Sequence, residues 1–212
     1  MLGDGALTFR EFAMREPLPL ATIHDAVLEF LRGRDDAVLF GAQAVNAYVD
    51  EPRMTQEVDI LSPRAQELAE EIKILLNERF RIAVRVRKVR EGLGYRIYQL
   101  QKPKNRHLVD VRTVGSLPPH QPIENILVLA PEQLIASKVM SMTDRSKTAK
   151  GLTDAADLRR LLLAFPQLKT EFGPVRKCIL AAAMPATVIE SWNELVSQEI
   201  LPEDEDAEFG GP

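Results

Sequence analysis

The chain has 212 residues, 45% of them apolar and 27% charged, which suits an ordinary globular fold with a real hydrophobic core and excludes an intrinsically disordered chain. Cys178 is the single cysteine, which excludes an intrachain disulfide and a thiolate-rich zinc site, and its setting, CILAAAM, predicts a buried structural thiol. The net charge of −4 is smaller than the contribution of Glu203, Asp204, Glu205, Asp206 and Glu208, so the rest of the chain is nearly neutral and carries no global charge signal for a partner.

No run approaches the length of a membrane-spanning helix, and the N-terminal MLGDGALTFREFAMREPLPL lacks a basic start followed by a continuous apolar stretch. A cytoplasmic protein with no membrane partner is expected. TIHDAVLEFLRGR places Ile23, Val27, Leu28 and Leu31 at the spacing of an amphipathic helix that Gly33 can end. AVLF then reads as a buried strand, Gly41 opens a second helix through AQAVNAYV, and after Pro52 and a polar loop comes a strand, QEVDIL. Ser62 and Pro63 read as the cap and first position of the helix AQELAEEIKILLNERF, whose Leu68, Ile72, Leu75 and Leu76 share one face.

RIAVRVRKV and YRIYQLQ alternate apolar with polar residues around the turn EGLG, the pattern of a hairpin, and HLVDVRTV predicts another strand. GSLPPHQPIEN reads as a proline-rich connector, placing a boundary near residues 117–125. Beyond it the pattern is helical, through APEQLIASKVMSMTDR, TDAADLRRLLLAF and two final helices near residues 170–184 and 185–198. Residues 201–212, acidic and containing Gly210 and Gly211, are expected to be disordered.

Two carboxylates interrupt the strand QEVDIL. Successive strand side chains alternate faces, so Glu57 and Asp59 share one face and Val58 and Ile60 the other. Asp110 interrupts LVDV in the same way, on a face with Leu108 and Arg112, and a neighbouring position in the sheet would complete three carboxylates. An oxygen-only cluster of this kind suits Mg²⁺ or Mn²⁺ together with a nucleoside triphosphate, whereas the bland alternative is acids on a wet sheet face. Lys138 falls near the buried side of its helix and needs an anionic partner, either a triphosphate or Asp154 or Asp157; an interhelical salt bridge without catalytic meaning is the alternative.

The stretch FGAQAVNAYVDEPRMTQEVDIL resembles the nucleotidyltransferase superfamily related to DNA polymerase beta, in particular its AbiEii-like, minimal branch, where a Gly-Gly or Gly-Ser turn and a helix precede Arg-x-Thr-x-Asp-x-Asp. Gly41 matches the first glycine, Arg53 and Thr55 the basic and hydroxyl positions, and Asp59 the second metal-binding aspartate; Ala42 and Glu57 depart from the pattern. Downstream, Lys138, Asp144, Arg145, Asp154 and Asp157 match the family's second segment, a lysine-bearing helix followed by Asp-Arg and Asp-x-x-Asp-Leu.

The resemblance implies an α+β fold, a nucleotidyltransferase-like mixed β-sheet flanked by helices over residues 1–118, followed by a C-terminal α-helical part over 126–200. It implies Mg-dependent transfer of a nucleoside monophosphate from an NTP to an RNA (for example tRNA) or protein hydroxyl, in a toxin–antitoxin or phage-defence system with a cognate toxin or antitoxin as partner. Glu57, Asp59 and Asp110 would be the catalytic and metal-binding residues; Gly41, Ala42, Arg53, Thr55, Lys138, Arg145, Asp154 and Asp157 would bind the nucleotide. The departures at Ala42 and Glu57 motivate the rival expectation, an inactive nucleotidyltransferase fold used as a nucleotide- or protein-binding module. Arg79, Arg81, Arg85, Arg87, Lys88, Arg90 and Arg96 suggest either an RNA-contacting hairpin or an ordinary wet sheet face, while His24, His107 and His120 are too scattered for metal ligation and receive no role.

Overall fold

Short β-branched and aromatic runs separated by polar loops form seven strands, and the computed structural model, which describes residues 18–89 and 92–202, joins them in one mixed sheet ordered β3-β4-β5-β2-β1-β7-β6. Arg90 of the basic hairpin and residues 203–212 of the acidic run lie outside the described residues. Helix α1 (Leu20–Leu31) leads to β1 (Val38–Phe40), α2 (Gly41–Asn46), β2 (Val58–Ser62) and α3 (Ala65–Phe80). The strands β3 (Val84–Lys88), β4 (Gly94–Gln99) and β5 (Arg106–Thr113) follow as an antiparallel meander, and β5 lies parallel to β2.

Two details differ from the sequence expectation. Ser62 ends β2 instead of capping α3; its Oγ accepts the Arg64 N–H at 3.0 Å, and the helix starts at Ala65. The proline-rich stretch 117–125 is not merely a connector: β6 (His120–Ile123) and β7 (Ile126–Leu129) form a hairpin there, and β7 adds to the sheet parallel to β1. The sheet therefore continues past residue 118 and takes four residues of the expected helical part.

The helical part contains α4 (Pro131–Asp144), α5 (Ala149–Ala164), α6 (Pro174–Ala181) and α7 (Ala186–Ser197). Amphipathic spacing holds it to the sheet. Leu68, Ile72 and Leu76 of α3 are fully buried, as are Leu134, Ile135 and Val139 of α4 and Leu158 and Leu161 of α5, each burial contributing on the order of 1.5–3 kcal/mol. One continuous apolar cluster runs from Ile23 to Trp192 and Leu195, so both parts share a core. Cys178, on α6, is half-buried, more accessible than its apolar neighbours suggest. No helix among the described residues is long and apolar enough to cross a membrane.

Candidate active site

A cavity of about 530 Å³ opens where the C-terminal end of β1, the strands β2 and β5, and the helices α4 and α5 meet. Its floor is built by register. Parallel pairing sets Asp59 of β2 directly opposite Asp110 of β5, and antiparallel pairing continues the same row to Arg96 and Arg87 on one side and Phe40 on the other. Directly paired residues project to the same side of a sheet, so both aspartates enter one cavity, which Glu57, one residue before β2, also lines.

These three carboxylates have different partners. Glu57 Oε1 lies 3.3 Å from the Lys150 ammonium, and Asp110 Oδ1 accepts from Arg96 Nε and from His107 Nε2, each at 3.0 Å. Asp59 has no side-chain hydrogen bond among the described residues. Burial pushes its carboxyl up to about 6, Arg112 pulls down, and the negative charges of Glu57 and Asp110 add to the rise. For Asp110, burial is outweighed by the His107 hydrogen bond and by the charges of His107, Arg96 and Arg112, which hold it below the usual carboxylate range.

Gly41 has φ +69, which favours glycine, and a Cβ there would sit 2.2 Å from Asp59 Oδ2. The close approach at this glycine is thus made by the carboxylate of Asp59. Ala42 lines the cavity beside it. Thr55 also borders the cavity, but its hydroxyl accepts from Gln43 Nε2 at 2.8 Å and is buried, which ties it to the fold and not to a free nucleotide-facing position.

The opposite wall is cationic and internally neutralised. Lys138 of α4 is buried, and its ammonium donates to Asp154 Oδ1 at 3.0 Å and Asp157 Oδ2 at 2.6 Å, both on α5. Arg53 forks onto Asp157 at 2.6 and 2.8 Å, and Arg145 donates to Asp154 Oδ2 at 2.8 Å. Local structure puts these groups in place. Asn46 clamps the Arg53 backbone through its Oδ1 and Nδ2, at 3.1 and 2.8 Å; Thr148 caps α5; and a Cβ at Gly151 would meet the Arg145 carbonyl at 2.0 Å, so only glycine admits that turn. Arg53, Lys138, Arg145 and Asp154 line the cavity, whereas Asp157 is fully buried beneath them, so it holds the basic side chains and does not itself face a ligand. Asp144 is exposed and away from the cavity.

Several participants are not visible in the sequence pattern. Lys150, Arg112 and Arg96 border the cavity, and Arg96 leaves the expected RNA-facing hairpin cluster to bind Asp110. Arg112 lies over the Phe40 ring at 4.7 Å, which fixes it near Asp59. His107, given no role above, contacts Asp110. His24, also given no role, is buried with Nδ1 3.5 Å from both Thr55 Oγ1 and Gln43 Nε2, and burial lowers its pKa. Arg79 and Arg81 belong to the end of α3, where Arg79 pairs with Glu29 at 2.5 Å, so they leave the sheet-face cluster.

The donor set tests whether a divalent cation suits this cavity. Three oxygen donors from Glu57, Asp59 and Asp110 border it, and Asp59 has no hydrogen-bond donor among the described residues, which suits a hard cation. Among the described residues, however, no three acidic, histidine or cysteine side chains already converge as a ligand group. Glu57 is instead turned to Lys150, and Asp110 gives only Oδ1 to the protein's own donors, so ligation requires the Glu57 side chain to reorient.

No protein-family model matches the chain, and comparison with curated proteins finds no match either. Solved structures do match. The fold is similar to that of a Megavirus polyadenylate synthase (13% identity, 69% of this chain and 32% of that one, TM-score 0.55) and of JHP933 from Helicobacter pylori (15% identity, 90% of each chain, TM-score 0.51). It is also similar to the antibiotic-resistance factor ANT(2'')-Ia, at 12% identity over 83% of this chain and 95% of that one, with a TM-score of 0.50. The chain spans about a third of the length of the viral polyadenylate synthase. The α+β architecture is the nucleotidyltransferase fold.

Proposed function

We propose that this protein is a nucleotidyltransferase that moves a nucleoside monophosphate from an NTP to an acceptor hydroxyl, releasing pyrophosphate. The observation that carries the reading is the in-register pair Asp59 and Asp110, joined by Glu57 on one floor of a cavity whose other wall presents Arg53, Lys138 and Arg145. Acidic floor and basic wall suit the two ends of one substrate. The wall would bind the triphosphate, with Lys138 and Arg145 exchanging part of their contact with Asp154 for phosphate oxygens. Asp110, kept ionised, would accept the proton of the attacking hydroxyl, and Asp59, pressed against Gly41, would set the position of the phosphoryl being attacked. A Mg²⁺ or Mn²⁺ ion held by Glu57, Asp59 and Asp110 would neutralise charge on the phosphates and on the entering oxygen.

For the acceptor, the arginine row favours RNA over a protein. Arg87 extends the row beyond the Asp110-bound Arg96, and Arg85 stands two residue pairs away beside Tyr98; among the described residues Arg85 and Arg87 join no ion pair and are exposed. Such a strip suits a phosphate backbone. The motif resemblance to the AbiEii-like branch supports a role in a toxin–antitoxin or phage-defence pair.

The test is Mg²⁺-dependent labelling of RNA from radiolabelled NTP. Asp59→Ala is expected to abolish it, and equal labelling by the variant would sink the mechanism. A second reading rests on Glu57 being held by Lys150 and on the basic wall being held by Asp154 and Asp157: the fold would bind nucleotide or protein without catalysis. Calorimetry with Mg–NTP and a labelling assay together separate the two, since binding without transfer supports the module and binding with transfer removes it.

A further inference from the structure

Strand β5 contains an irregularity with a chemical consequence. Ile97 pairs with Val109, but the next residue, Tyr98, pairs with His107, so Leu108 has no opposing residue. Leu108 and Val109 are both fully buried, which breaks the inside–outside alternation and replaces the expected shared face of Leu108 and Asp110. On a regular strand His107 and Asp110, three residues apart, would point to opposite faces. The bulge brings them to one side, and His107 Nε2 lies 3.0 Å from Asp110 Oδ1.

The ring is held in that orientation. It stacks on Tyr98 with centroids 5.0 Å apart and planes inclined by 28°. An ionised carboxylate only accepts hydrogen bonds, so Nε2 carries the proton in this contact. Arg96 Nε donates to the same Oδ1, also at 3.0 Å. One oxygen of Asp110 thus receives two donors, while Oδ2 has no hydrogen-bond partner among the described residues.

We propose that His107 is a positioning residue of the transfer site: with Arg96 it holds Asp110 Oδ1, fixes the carboxylate plane and leaves Oδ2 as the oxygen that works in the cavity. This rests on the nucleotidyl-transfer reading above. His107 touches neither substrate nor cation in this arrangement; it acts through Asp110. Outer contacts of this kind commonly change metal affinity or activity by about 10–100-fold.

Two substitutions separate positioning from packing. His107→Phe keeps an aromatic ring on Tyr98 but removes the donor, whereas His107→Gln keeps an N–H donor and loses the ring. Mn²⁺ affinity is read by electron paramagnetic resonance, turnover by NTP labelling, and folding by melting temperature. The phenylalanine variant is expected to bind Mn²⁺ about tenfold more weakly and to lose about 10–100-fold in kcat with the NTP KM within about twofold, and the glutamine variant to recover most of both. Arg96→Met, at a largely exposed side chain, removes the other donor without touching the core and should shift both readouts the same way. It decides the question if the phenylalanine variant fails to fold. Unchanged Mn²⁺ affinity and kcat in the folded donor-deleting variants overturn the proposal, as does a parent protein that binds no Mn²⁺. The expected Mn²⁺ pattern in a parent that transfers no nucleotide supports the positioning role and overturns the transfer reading alone.

Discussion

The two walls of the cavity solve the problem of burying charge in opposite ways. On the helical wall Arg53, Lys138 and Arg145 surround Asp154 and Asp157 with contacts of 2.6 to 3.0 Å, and every member has a partner. On the sheet wall Asp59 has no hydrogen-bond partner among the described residues; burial raises its pKa to about 6, and two further carboxylates add to the rise. The first arrangement is complete without a ligand and one charge in excess on the positive side; the second is stable only as far as a cation or a proton relieves it. The difference teaches which wall is scaffold as well as binding surface, and which is built chiefly for chemistry.

The largest test of this contrast is Lys138→Met. It strips the ammonium from two buried aspartates and should destabilise the protein by about 3–5 kcal/mol in urea unfolding, with part of the loss recovered by the further change Asp157→Asn. A cost near zero would mean that the helical wall is not a scaffold.

The opposite sign is expected across the cavity. An aspartate with an ordinary pKa near 3.9 when unfolded and about 6 when folded binds its proton more tightly in the folded state. Its stabilising contribution is complete below pH 4 and is lost as pH rises through 6. Asp59→Asn should therefore stabilise the cation-free protein at pH 7.5, by at most about 3 kcal/mol because water reaches the cavity, and the gain should vanish near pH 4 in thermal melts. Millimolar Mg²⁺ should raise the melting temperature of the parent at pH 7.5 and leave that of Asp59→Asn nearly unchanged.

Gly41→Ala sharpens the comparison at one atom. The left-handed backbone costs an alanine about 1–2 kcal/mol, and the added Cβ, 2.2 Å from Asp59 Oδ2, must also displace that carboxylate. Labelling should fall further than stability, whereas a conformational cost alone would spare it. The smallest effects belong to the arginine row: Arg85→Ala and Arg87→Ala should change stability by less than about 0.5 kcal/mol, yet each should lower the salt slope of RNA binding by about one, measured by fluorescence anisotropy.

Much of this arrangement is legible in the residue pattern. Ala65–Phe80 forms the helix that its spacing predicts, and the two-residue separation of Glu57 and Asp59 puts both at one cavity. The buried character of Lys138 follows from helical periodicity and its need for an anionic partner from that burial; of the candidates, Asp154 and Asp157 both bind it. Other features escape the pattern for identifiable reasons. The hairpin of residues 120–129 is hidden by prolines at 118, 119 and 122, which signal a connector although an edge strand tolerates them. His107 is hidden because a bulge shifts strand phase by one residue, which strict alternation does not anticipate.

The sequence by itself determined most of the elements, the glycine turn and the types of residue available for chemistry, because these depend on local periodicity and on the intrinsic freedom of one backbone position. Only the tertiary structure decided partners. That Asp59 lies opposite Asp110, that Arg53 closes on an aspartate more than a hundred residues away, and that Lys150 reaches Glu57 are facts of strand register and helix docking. Charge interactions fall off over a few ångströms, so only packing determines whether each of these groups is a neutralised support or an open site.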